Sequence, residues 1–132
     1  FAAFDAFKAK RIAVLTPYRR DVNDVVRAYI QNAGYTVPVF GSFNEEQDPT
    51  VARIDTKSLS DAVDTITRDR DVDMVFVSCT SLRALQIIHD AEAALGKPVI
   101  SSNQALAWHM MRLAGLTDQP QGAGQLFAAQ LT

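Results

Sequence analysis

An α/β fold, a parallel sheet covered by helices on both faces, is predicted by three features of the 132-residue chain. "RIAVLTPY" and "MVFVSC" are short, β-branched apolar runs without polar alternation, the mark of strands buried on both faces. Between such runs lie stretches with apolar residues at helical spacing. Gly34 and Gly96 stand where two of those helices should stop. Strands that alternate with helices require right-handed crossovers, and these place the strands parallel.

The elements follow in order. "FAAFDAFKAKR" places Phe1, Phe4 and Phe7 on one helical face that needs a packing partner. Residues 1–10 are therefore expected to be a helix entering from a preceding half of a longer protein. "RIAVLT" is the first strand, ended by Pro17. In "DVNDVVRAYIQNAGY", Val22, Val25, Val26, Tyr29, Ile30 and Ala33 mark a helix with Asp21 as its expected N-cap. "TVPVFGSF" is a second strand, placed at an edge because Pro38 cannot donate to a ladder. A weakly periodic loop follows, with a short helical turn expected at "VARI"; loops of this length often bind ligands. Leu59, Ala62, Val63 and Ile66 mark the next helix, and Asp71 and Asp73 a solvated turn before the third strand, "MVFVSC". "SLRALQIIHDAEAALG" is a helix, "KPVISSN" the fourth strand and "QALAWHMMRLAG" the last helix. This pattern fits a flavodoxin-like four-stranded parallel sheet of order 2-1-3-4. The α/β domain is expected over 11–115, with 116–132 a tail packing back on the other half.

Composition excludes several classes of function. A net charge of -2 with no basic stripe argues against nucleic acid as a partner. No apolar run approaches the roughly 18 residues needed to cross a bilayer, and no secretory leader pattern opens the chain, so no membrane partner and a cytoplasmic location are expected. One cysteine supplies neither an internal disulfide nor a plausible zinc set, so no metal is expected and its chemistry is that of a thiol. Self-association of identical chains stays open.

In open parallel sheets ligands bind beyond the carboxyl ends of the strands, where strand order reverses. The first and third strands flank that point, so Tyr18 and Cys79 are predicted to meet at the rim. Cys79 is expected where strand becomes helix, so the free N–H groups of Thr80, Ser81 and Leu82 should form an anion site, and the helix dipole favours thiolate. Position alone leaves two readings open: a reactive thiol, or a small buried hydrophobe. Tyr18 is as often a packing residue as a hydrogen-bond donor. Ser102 and Asn103 reach the same rim, though these types at a strand-to-helix junction usually cap the helix. His89 is expected in solvent and His109 and Trp108 in packed positions. Other motifs fail on spacing. Leu85 stands where a cysteine phosphatase loop needs arginine, and "GAGQLF" follows no strand and lacks a third glycine for a dinucleotide fingerprint.

Three stretches, "RIAVLTPYRRDVN", "VDMVFVSCTSLRAL" and "GKPVISSNQALAWHMMRLAG", together resemble the aspartate/glutamate racemase superfamily, in its maleate isomerase, arylmalonate decarboxylase and ectoine-utilisation branch. The likeness runs from Arg11 to Gly115, and "GAGQLF" is similar to the way such proteins end. It implies a pseudo-symmetric enzyme of two α/β halves sharing a cleft, of which this chain is the second. Cys79 then matches the second-half cysteine, an acid/base at the carbon next to a carboxylate. Tyr18, Thr80 and Ser81 match substrate-holding positions. The resemblance implies a small carboxylate or dicarboxylate substrate, no cofactor, and maleate isomerase-like or racemase-type chemistry. An arylmalonate-type decarboxylase and a non-catalytic organic-acid-binding domain are the alternatives. Ser81 departs from the asparagine common in related sequences, and the partner residue of the first half lies outside these residues.

Overall fold

The computed structural model describes residues 1–132. Four strands, β1 (Arg11–Thr16), β2 (Thr36–Ser42), β3 (Met74–Val77) and β4 (Val99–Ser101), form one sheet in the order β2-β1-β3-β4. Every pairing is parallel. The helices are α1 (Ala2–Ala6), α2 (Arg20–Asn32), the single turn α3 (Asp48–Val51), α4 (Thr56–Thr67), α5 (Leu85–Leu95) and α6 (Ser102–Leu113), followed by a 3-10 turn at Gln125–Ala128.

The strand runs carry no alternation because both faces are buried. Ile12, Val14 and Met74 point into one core with Phe4, Ile30, Trp108 and Leu126. Ala13, Leu15, Val75 and Val77 point into the other, with Leu59, Val63, Ile88 and Cys79. β2 is an edge strand, as Pro38 requires. Arg11 pairs with Thr36 and Ala13 with Val39, so an extra residue is accommodated in the segment that holds Pro38.

Several expectations shift. The short helical turn lies at Asp48–Val51 rather than at "VARI", because Pro49 suits a first helical turn. Asp21 sits inside the first turn of α2, where Arg19 occupies the cap position without a side-chain cap. The turn before β3 is more than solvated charge. Asp73 Oδ2 accepts from the Lys10 and Arg11 amides, both at 2.8 Å, and its Oδ1 accepts from Arg11 Nε and Nη2 at 3.1 and 2.6 Å. Asp71 takes the remaining guanidinium corner.

The Arg11 hydrogen bond, reinforced by those amides, holds the Asp73 carboxyl well below the usual carboxylate range. A depressed acid contributes stability above its unfolded value, about 4, and loses it as pH falls through the lower folded value. Asp73→Asn is expected to lower unfolding stability by about 1–2 kcal/mol at pH 7. Urea titrations at pH 7 and pH 3 should show the gap between parent and variant narrowing in acid; an equal gap at both would remove the carboxylate from the account.

Both ends of the chain pack on this domain. Phe4 is buried edge-on against Tyr35 and Phe76, and Phe1 stacks on Tyr29 and Tyr35. In the tail, Ala129 O accepts from Trp108 Nε1 and Arg112 Nε, both at 3.0 Å. Glu92, buried on α5, accepts from Val99 N at 3.1 Å and Gln125 N at 2.9 Å. The packing of this segment explains the second glycine of "GAGQLF". Gly124 has φ +86, and a Cβ there would lie 2.5 Å from Ile88 Cγ2 and 2.9 Å from Gln104 Nε2. Gly124→Ala is expected to cost about 1–3 kcal/mol, read as a lowered Tm. A Tm equal to the parent's would mean that the tail yields freely.

Candidate functional site

β1 and β3 are neighbours, with Leu15 opposite Val77 and Ser78 N donating to Leu15 O at 2.8 Å. Their carboxyl ends therefore open side by side at the switch point of the sheet. Tyr18 leaves the end of β1 and Cys79 the end of β3, and the two side chains meet. Tyr18 is partly buried against the cluster that holds Cys79, which is itself only 4% exposed. Burial, followed by the hydrogen bond and charge of Cys79 and the charge of Asp48, pushes the Tyr18 hydroxyl up to about 12. At neutral pH it is a protonated donor.

The turn after Cys79 differs from expectation. Helix α5 begins at Leu85, so residues 78–84 form a bend between strand and helix, and the α5 dipole does not start at the sulfur. The reason is packing. Leu82 and Ala84 are drawn into the core at 5% and 1% exposure, and Arg83 Nη2 donates to Ile54 O at 3.2 Å. One amide still reaches the thiol: Ser81 N–H points at Cys79 Sγ at 3.3 Å. Thr80 is exposed and Ser81 partly so, which leaves both at the open side of the turn.

Two asparagines join the rim. Asn103, in the first turn of α6, donates from Nδ2 to Thr80 O at 2.9 Å. It is free to do so because Ser101 is the cap, in a capping box with Gln104. Asn23, in α2, donates from Nδ2 to Tyr18 O at 2.9 Å and accepts from the buried Thr16 Oγ1 at 2.5 Å. Thr16 Oγ1 in turn accepts from Tyr18 N at 3.2 Å, and Ser42 Oγ also donates to Tyr18 O. The sequence placed Asn103 near the rim but favoured capping for it. Asn23 was visible only as a member of "TPYRRDVN", and its signal would have been a polar side chain early in the helix that follows a strand-end turn.

A nearby ion pair links the turn after β1 to the loop after β2. Arg19 donates to Glu46 Oε1 at 3.2 Å. His89 is exposed, and Trp108 is fully buried beside a partly buried His109. No group of three His, Cys, Asp or Glu side chains is arranged to hold a metal ion. No helix is long and apolar enough to cross a membrane. A cavity of about 490 Å³ lies on the other face of the sheet, among Phe1, Phe4, Val26, Tyr29 and Ile100. It contains neither Cys79 nor Tyr18, and Ser78 and Ser102 alone give its lining a polar side chain besides the Tyr29 hydroxyl, so it is poorly matched to a carboxylate.

The chain is 33% identical over 124 residues to an arylmalonate decarboxylase from Bordetella bronchiseptica, covering 92% of this chain and 52% of that protein. A maleate isomerase from Pseudomonas putida S16, a cysteine-to-alanine variant solved with maleate, superposes with a TM-score of 0.91 at 29% identity over 98% of this chain and 52% of that one. A cysteine-to-serine maleate cis-trans isomerase from Nocardia farcinica, holding a covalently bound succinylcysteine intermediate, superposes with a TM-score of 0.85 at 27% identity, covering 96% of this chain and 51% of that one. The chain spans about half the length of the relatives it matches. Residues 1–127 match the arylmalonate decarboxylase family, and the chain belongs to that family.

Proposed function

We propose that this chain is the second half of a cofactor-independent isomerase that acts at the carbon next to a carboxylate, of the maleate cis-trans type, with Cys79 as acid/base. The carrying observation is the rim itself. The chain's sole cysteine ends β3, an amide N–H lies 3.3 Å from its sulfur, and a protonated tyrosine hydroxyl stands beside it. Relatives that bind maleate or hold a succinylated cysteine support the substrate class.

The proposed reaction combines these groups with a thiolate of the first half. A thiolate of the first half adds to one alkene carbon of a cis-diacid, forming a C–S bond. The electron pair moves to the other carbon and its carboxylate, and Tyr18 O–H with the polar turn at Thr80 and Ser81 holds that charge. The Cys79 thiol gives its proton to the carbon, and the Ser81 N–H faces the sulfur that becomes anionic. The carbon–carbon single bond rotates. Cys79 then takes the proton back, the C–S bond breaks and the trans-diacid leaves. No oxidant or cofactor is needed. The preceding half supplies the missing thiolate, and an unpaired, reduced Cys79 suits a cytoplasmic enzyme.

The test is conversion of maleate to fumarate by the protein that carries both halves, followed by proton NMR. Fumarate formation supports the reading. Carbon dioxide release from an arylmalonate without fumarate formation would move the assignment to the decarboxylase that the family also contains. Binding of dicarboxylates with neither reaction would make this an organic-acid-binding domain.

A further inference from the structure

Tyr18 and Cys79 lie on turns that end different strands, and each turn is gripped by a side-chain amide from a helix, α2 for the Tyr18 turn and α6, which follows β4, for the Cys79 turn. Asn23 Nδ2 holds Tyr18 O and Asn103 Nδ2 holds Thr80 O, each at 2.9 Å. Both main-chain carbonyls belong to the rim turns rather than to the sheet ladder, so without the amides nothing in the protein would hold Thr80 O, and Ser42 Oγ alone would remain on Tyr18 O. We propose that Asn23 and Asn103 are paired positioning residues, amide clamps that together set how the Tyr18 hydroxyl meets the Cys79 thiol. The chemical importance of that geometry rests on the isomerase reading.

The chemistry of the clamp separates it from ordinary helix capping. Only a donor can hold a carbonyl. Aspartate has the shape of asparagine but, when ionised, accepts without donating. Near the N-terminus of α6 a negative charge is otherwise favourable, so a residue that merely supported the helix would tolerate Asn103→Asp or gain from it. A clamp would not. Asn23→Asp keeps an acceptor for Thr16 Oγ1 while losing the bond to Tyr18 O, so it separates the two bonds of that side chain.

Two readouts test the pair. In the first, Cys79 is alkylated with iodoacetamide at fixed pH in folded parent, Asn23→Asp and Asn103→Asp proteins, and Tm is measured beside it. Each variant is expected to keep a near-parental Tm yet react about five- to tenfold faster, because the loss of one hydrogen bond lets a rim turn open around a nearly buried sulfur. Equal rates in parent and variants overturn the proposal. If a variant unfolds, Asn103→Gln, which retains the amide, is compared instead with Asn103→Leu; rates that do not differ overturn the proposal in the same way.

The second readout is kinetic and uses the two-half protein. Asn23→Asp should act mainly on KM, through the carboxylate-holding Tyr18, and Asn103→Asp mainly on kcat, through Cys79. A common loss in both variants without that split contradicts separate clamping of the two groups. Alkylation requires no turnover, so failure of the clamp is distinguishable from failure of the isomerase reading, which Cys79→Ala decides.

Discussion

On the proposed isomerase reading, Cys79→Ala is expected to lower maleate turnover by the two-half protein about 10²- to 10⁴-fold, the usual range for removal of a general acid/base. The substitution deletes a sulfur from a site only 4% exposed, between core residues such as Val77 and Leu82. A small cavity costs little compared with a full large-to-small core substitution, so Tm should fall by only a few degrees. Loss of turnover in a folded protein assigns chemistry to the thiol. Undiminished kcat would return Cys79 to the role of a small buried hydrophobe.

Tyr18→Phe is the second large effect. A hydrogen bond from a neutral hydroxyl to a carboxylate contributes about 1.5–3 kcal/mol, so KM should rise on the order of ten- to hundredfold. Because the hydroxyl of Tyr18 is pushed up to about 12, it stays a donor across the neutral range. The raised value means that Tyr18 begins to lose its proton only as pH approaches 12, so the parent's KM should carry no tyrosine ionisation between about pH 6 and 9. A KM that climbs through pH 9 in the parent and not in Tyr18→Phe would contradict a buried, protonated tyrosine.

The sheet was legible because its signals are local. Unbroken apolar runs marked β1 and β3, Pro38 marked an edge, and the crossover rule ordered the rest. The meeting of Tyr18 with Cys79 followed from that order, although the residues are far apart in sequence. Less legible was what depends on packing between elements. The start of α5 was misplaced because burial of Leu82 and Ala84 overrides the helical pattern of "SLRAL". Asp73 read as solvated charge because its partners, Arg11 and the Lys10 amide, lie at the far side of the sequence. Asn103 read as a cap because the competing cap, Ser101, is declared only by its bond with Gln104. Residue type at each of these positions was compatible with both roles, and three-dimensional neighbours chose between them.

The acid/base assignment makes one further demand. If Cys79 moves the proton while another thiol forms the C–S bond, replacing Cys79 by serine should strand the succinyl adduct, because water can protonate the carbanion but no thiolate is present to take that proton back. The direct measurement is mass spectrometry of tryptic peptides after the parent and Cys79→Ser two-half proteins are each incubated with maleate. A succinylated cysteine is expected in the preceding half of the variant, with no adduct on Cys79 of the parent. A succinyl group found on Cys79 of the parent protein, with none in the preceding half, would contradict the assignment and make Cys79 the nucleophile.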